Sequence, residues 1–179
     1  MIRLFAAIDL PDTVKDSIQG ICGDLPGARW VDLQQLHLTL RFIGEVDNGL
    51  FDKIKASLAE ITEASFSLTV QGVGFFPPKR TPRVLWVGIQ GDGTLARLAG
   101  EIEETLVLKN GIEPERRAFS PHITIARFKE TSPAKIADYV TRHGTFRTET
   151  FTVDAFHLYS STLTPTGARH RKEASYPLK

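Results

Sequence analysis

Two short segments carry the residues best suited to chemistry: His37-Leu38-Thr39-Leu40 and His122-Ile123-Thr124-Ile125. In each, polar and apolar positions alternate. Side chains along a strand point to opposite faces with period two, so each histidine shares a face with its threonine while the aliphatic residues turn toward a core. Near neutral pH an imidazole can take up a proton and an imidazolium can give one. Threonine is stiff at χ1 and presents its hydroxyl donor in a fixed place. Two such faces set against each other would offer an acid, a base and two hydroxyls, a set suited to opening a phosphodiester without a metal. A five-membered cyclic phosphate fits this chemistry, because its ring strain helps to expel an alkoxide.

A lone histidine on a strand face is ordinarily a surface or satisfied core residue. Here the surroundings repeat along with the motif, which gives the pair its weight. The first half begins with a strand-like run over 3–9. A helix follows, with Pro11 at its first position and Val14, Ile18 and Ile21 at helical spacing, and Cys22 falls in the same apolar helical pattern. After Gly23 and Pro26-Gly27 come Trp30-Val31 and the His37 strand. A helix with Phe51, Ile54, Leu58 and Ile61 on one face comes next, and then a long strand over 66–76. The second half repeats this order. It has a strand over 83–89, a helix with Leu95, Leu98, Ile102 and Leu106 that stops at Asn110-Gly111, and the His122 strand. A helix opened by Ser132-Pro133 and ended by His143-Gly144 follows, then a long strand over 151–160. A further strand over 171–176 closes one edge.

This order predicts an α+β protein of two pseudo-symmetric lobes, each an antiparallel sheet with helices on its outer face. A cleft between the sheets would hold the two histidine strands. The lobes are expected at about 1–80 and 81–179 of a single domain, with strand exchange between them allowed. The proline-rich stretch Pro77-Pro78-Lys79-Arg80-Thr81-Pro82 reads as the crossover from one lobe to the other.

The bulk composition narrows the setting. With 22 basic and 21 acidic residues and a formal net charge of +1, the chain has no global field to steer nucleic acid. Recognition of RNA would have to rest on an end or a loop. The single cysteine, Cys22, excludes an intrachain disulfide and fits a reducing compartment. The apolar N-terminal run is short and interrupted by Arg3 and Asp9, and no segment is long enough to span a membrane, so a cytoplasmic protein is expected. Nothing resembles a heptad seam, which favours a monomer.

Other chemistries are less well supported. A catalytic zinc commonly takes three protein ligands, and neither motif has a His-x-His, an HExxH or a cysteine pair beside it. Glu45 and Asp47 near the first motif have no counterpart near the second. No nucleophile elbow and no Walker-type glycine-rich loop occurs. The expectation is therefore a reaction with no cofactor and no metal.

In these residues the chain resembles the 2H phosphoesterase superfamily, which is defined by paired His-x-Thr-x motifs. It is most similar to the RNA 2′,3′-cyclic phosphodiesterases, also known as 2′-5′ RNA ligases. The resemblance covers essentially the whole chain. It includes Arg3-Leu4-Phe5-Ala6-Ala7-Ile8, Arg29-Trp30-Val31 and the His37 motif continuing through Arg41-Phe42-Ile43-Gly44. It also includes Pro121 with the His122 motif through Ala126-Arg127, and the ending from Leu158-Tyr159-Ser160-Ser161 to Pro177-Leu178.

The resemblance implies hydrolysis of a terminal 2′,3′-cyclic phosphate to a 2′-phosphate, with RNA 3′ ends or nucleotides bearing that group as substrate. It assigns His122 as general base, His37 as general acid, and Thr39 and Thr124 as holders of phosphate oxygens. It also places Arg127 on the phosphate and Phe42 against the nucleotide. Arg127 and Phe42 lie five residues past their histidines, where strict alternation puts them on the opposite face. A bulge must intervene for them to reach the cleft. The resemblance also implies weak 2′-5′ joining.

Two other functions share these residues. One is a non-catalytic module that binds RNA ends or nucleotides and uses the histidines only as phosphate donors. The other is a phosphodiesterase for a small cyclic-phosphate nucleotide. His143, His157 and His170 have no threonine two residues on and are given no catalytic role. Trp30 and Trp86 read as packing residues, and Phe75 and Phe76 as divided between core and cleft. The basic stretch Ala168-Arg169-His170-Arg171-Lys172 reads as a charged, solvated edge strand.

Overall fold

A computed structural model describes residues 1–165 and 167–179. In chain order its elements are β1 (Ile2–Asp9), α1 (Asp12–Gln19), β2 (Ala28–Trp30), β3 (His37–Val46), α2 (Asn48–Leu58), β4 (Phe66–Phe76), β5 (Val84–Gln90), α3 (Thr94–Asn110), β6 (His122–Phe128), α4 (Pro133–Arg142), β7 (Phe151–Val153), β8 (Ala155–Thr164) and β9 (Gly167–Pro177). The strands form two antiparallel sheets, ordered β3-β1-β8-β9 and β2-β6-β5-β4-β7. The α+β reading holds.

Helix ends follow local chemistry. The Asp47 carboxylate accepts from the Leu50 amide at 2.8 Å to start α2. Gly111, in the left-handed region at φ 66°, ends α3. Several boundaries differ from expectation: Ile61 lies beyond α2, which stops at Leu58, and the last strand is longer, Gly167–Pro177. Pro11 occupies the N-cap of α1, one residue ahead of the first helical position. Cys22 lies beyond that helix, which stops at Gln19. Its half-buried thiol donates to the Ile18 carbonyl at 3.3 Å, and burial pushes its pKa up to about 11.

The sheets do not coincide with the halves of the sequence. β4 belongs to the second sheet and hydrogen-bonds to β5. The proline-rich stretch is therefore a hairpin loop within one sheet, closed by Arg83 N–H to Phe76 C=O at 2.7 Å, and not a crossover between lobes. The run over 151–160 also divides. β7 pairs with β4 in the second sheet, and after Asp154 the chain passes into β8, which pairs with β1 in the first. An apolar periodicity shows that a run is extended but not which neighbour it bonds. The actual crossings are from β1 through α1 to β2, from β2 to β3, from β3 through α2 to β4, and from β7 to β8.

One continuous cluster of buried side chains joins the helices to one face of each sheet. It holds Val14 and Ile18 of α1, Ile54 and Leu58 of α2, Leu98 and Ile102 of α3, and Ile136 and Tyr139 of α4. From the strands it takes Leu4, Ala6, Ile8, Leu38, Leu40, Ile123 and Ile125. Their neighbours Phe5, Ala7, His37, Thr39, His122 and Thr124 are outside it, on the opposite faces. Gly74 has a steric role there. A Cβ on Gly74 would lie 2.2 Å from the Trp86 ring. Gly74→Ala is expected to cost about 1–3 kcal/mol, the range for forcing atoms into a packed site. Urea unfolding measures it, and an unchanged midpoint would mean that the indole is not seated there.

Candidate active site

Both histidine strands sit where the two sheets meet. β2, at the edge of the second sheet, pairs with β6, and Val31 N–H extends that pairing to Ile125 C=O at 2.9 Å. One turn of 3₁₀ helix (Leu33–Gln35), capped by Asp32 accepting from Gln34 N–H at 2.8 Å, then turns the chain into β3. This link holds β3 of the first sheet beside β6 of the second, with Cα atoms within 8 Å.

The two histidines are tethered alike. His37 Nδ1 lies 2.7 Å from the Gln35 carbonyl, and His122 Nδ1 lies 2.7 Å from the Ser120 carbonyl. A carbonyl only accepts, so Nδ1 carries hydrogen in both rings and Nε2 is left to gain or lose a proton. Thr39 and Thr124 are partly exposed on the same faces, between buried aliphatic neighbours, as alternation requires.

Each strand then carries a bulge at the same distance from its histidine. On β6, Thr124 pairs with Trp86 and Ala126 with Leu85, so Ile125 has no partner opposite it. On β3, Thr39 pairs with Ala7 and Arg41 with Ala6, so Leu40 is the extra residue. One extra residue reverses the alternation beyond it. Arg127 and Phe42 thereby return to the histidine faces. Arg127 is exposed and its charge is felt at His37. Phe42 is 59% exposed, with its ring 6.0 Å from Phe5. Arg41 points the other way, to an ion pair with Glu103 of α3.

The two sides of the cleft differ in charge. Across the strand pair His37 meets Asp9, whereas His122 meets Gly88. Around His122 the packing is aromatic, with Phe76 edge-on at 5.0 Å and Trp86 at 6.4 Å. Trp86 therefore borders the site, which its apolar strand context did not indicate. Around His37, burial is the main cause of a pKa held below the usual imidazole value. The Gln35 carbonyl and Asp9 pull it upward, while His170 and Arg127 push it down. Asp9 is the centre of a network. It accepts from Tyr159 Oη at 2.5 Å and from Lys172 Nζ at 2.6 Å, and His157 Nε2 stands 3.5 Å away. Burial works to raise the Asp9 pKa, and the bonds from Lys172 and Tyr159 outweigh it and keep it low.

A profile of the 2′-5′ RNA ligase superfamily matches residues 10–164. The chain belongs to that superfamily. Among its relatives, the RNA 2′,3′-cyclic phosphodiesterase of Archaeoglobus fulgidus is 35% identical over 93% of this chain and 94% of its own. The protein of the same name from Thermotoga maritima is 39% identical over 93% and 90%. The architecture is similar to that of E. coli LigT in its apo form, with a TM-score of 0.81 and 26% identity over 99% and 98% of the chains. It is also similar to LigT complexed with 3′-AMP, with a TM-score of 0.80 and 28% identity over the same shares. The α+β fold expected from the resemblance is the one that these structures share. Among the described residues, no helix is long and apolar enough to cross a membrane.

Proposed function

We propose that this chain hydrolyses terminal 2′,3′-cyclic phosphates of RNA to 2′-phosphomonoesters, using its own side chains and no metal. The observation that carries the reading is the matched tether of His37 and His122, which leaves two free Nε2 atoms on facing strands. The relatives that bear the name RNA 2′,3′-cyclic phosphodiesterase support the substrate class.

In this reaction His122 Nε2 takes a proton from water and the hydroxide oxygen attacks phosphorus. The bond to the 3′ oxygen breaks, and that oxygen takes the proton carried on His37 Nε2. One proton is removed and one delivered, so the pair is restored when the two histidines exchange a proton with solvent. Thr39 and Thr124 hold the non-bridging oxygens, Arg127 offsets their charge, and Phe42 offers a face to the nucleotide. The division of roles is supported by Asp9. Its carboxylate pulls the His37 pKa upward against the larger effect of burial, and at the matching place beside His122 stands Gly88, where a Cβ would meet the Gln71 carbonyl at 2.7 Å. With a 5′-hydroxyl taking the place of water as the attacking group, the same steps would join a 2′-5′ linkage weakly. We place the activity in a cytoplasmic monomer.

The charge balance gives an expected result. In the free protein His37 should titrate below the ordinary value of about 6.5. A bound phosphate would neutralise Arg127 and add a negative charge, so saturating inorganic phosphate should raise it. Proton NMR of the ring reads both, and a titration indifferent to phosphate would contradict the placement of Arg127. The functional test is a short RNA with a 2′,3′-cyclic phosphate end. Turnover supports the enzyme. Tight binding without product would move the assignment to a binding module. Turnover of a small cyclic-phosphate nucleotide but not of RNA would change the substrate.

A further inference from the structure

The β8–β9 hairpin delivers one histidine that this reaction does not use. His170 lies edge-on to His37, with ring centroids 5.3 Å apart at 82°. It is also edge-on to Phe5, at 4.9 Å and 77°. Phe5 faces away from the helix-covered core and yet is only 3% exposed, because the rings of His37, Phe42, Tyr159 and His170 cover it. Nδ1 of His170 is buried without a hydrogen-bond partner. Such a group is unfavourable in a folded interior and calls for a reason beyond solvating an edge strand.

We propose that His170 is a positioning residue for the general acid, its ring fixing the plane of the His37 imidazole. The inference rests on the assignment of His37 as acid. The Gln35 carbonyl fixes only one atom of the His37 ring. A plane needs further contacts, and Phe5 and His170, which also touch each other, supply them in the tilted and edge-on arrangements that aromatic rings prefer. The opposite side of the cleft uses the same device: Phe76 stands edge-on to His122 at 5.0 Å and 82°. His170 thus does for one histidine what Phe76 does for the other, but with an ionisable ring.

That difference has a consequence. The charged groups facing His37 are His170 from β9, Asp9 from β1 and Arg127 from β6. Burial pushes His170 toward its neutral form. When His170 is protonated, it opposes a proton on His37, which a phenylalanine would not do.

The test compares His170→Ala and His170→Phe with the parent protein. The readouts are kcat and KM on an RNA bearing a 2′,3′-cyclic phosphate, and the NMR titration of His37. Alanine should lower kcat about tenfold with little change in KM, the scale of a modest misplacement of a reacting group. Phenylalanine should recover most of that loss and move the His37 titration to higher pH. A kcat loss that phenylalanine does not recover would overturn the seating role. So would parent-like kcat in His170→Ala together with an unmoved His37 titration in both variants. If the parent turns over no substrate while His37 still shifts in His170→Phe, the proposed reaction fails and the contact of His170 with His37 stands. If the alanine variant does not fold, kcat of the phenylalanine variant decides: a near-parent value supports the seating role and a large loss overturns it.

Discussion

Alanine in place of either His122 or His37 is expected to lower kcat by about 10²–10⁴-fold, the usual contribution of a general acid or base. The fold should survive, because both rings lie outside the buried cluster that joins sheets and helices. Steady-state turnover of a cyclic-phosphate RNA, read beside the urea midpoint, separates the two effects. The losses should not add in the double variant. Once one proton-transfer partner is gone, the other has little left to complete. Full activity in His122→Ala would remove the assignment of that residue as base.

The adjacent residue should give the opposite result. Ile123 is fully buried, in contact with the shared core. Ile123→Ala is expected to cost about 2–5 kcal/mol of stability, the range for emptying such a site. The protein that remains folded should keep a near-normal kcat, since His122 and Thr124 point the other way. Unfolding curves and kcat per folded molecule measure the two quantities. A large loss of kcat with unchanged stability would mean that the alternation at 122–125 is misread. Neighbours one position apart with opposite phenotypes are what a strand between a core and a cleft must show.

The sequence discloses these alternations because they are local. A period of two at 37–40 and 122–125 places the His and Thr pairs, and a period near 3.6 finds the four helices. Long-range bonding is not written in a period. The proline-rich loop after Phe76 reads as a passage between lobes, and only the pairing of β4 with β5 shows it to be a hairpin. In the run over 151–160 the buried apolar positions move from odd (Phe151, Val153) to even (Phe156, Leu158) just after Asp154, where the chain changes sheets, but a shift of phase alone does not tell a change of sheet from a bulge. The bulges at Leu40 and Ile125 are also silent, since both residues are ordinary aliphatics. Their presence could be inferred only from the need to bring Phe42 and Arg127 to the histidine faces. His170 was hidden for a further reason. In a basic segment it looks like one more solvated charge, and only the fold of the β8–β9 hairpin carries it to His37.

The central claim is that two histidines open a cyclic phosphate in one direction without a metal. The most direct measurement is phosphorus NMR of the product formed from a short RNA 2′,3′-cyclic phosphate in excess EDTA. A 2′-phosphomonoester at an undiminished rate is the predicted result, with the 3′ oxygen leaving on the His37 side. A 3′-phosphomonoester, or a reaction abolished by the chelator and restored by a divalent cation, would contradict it.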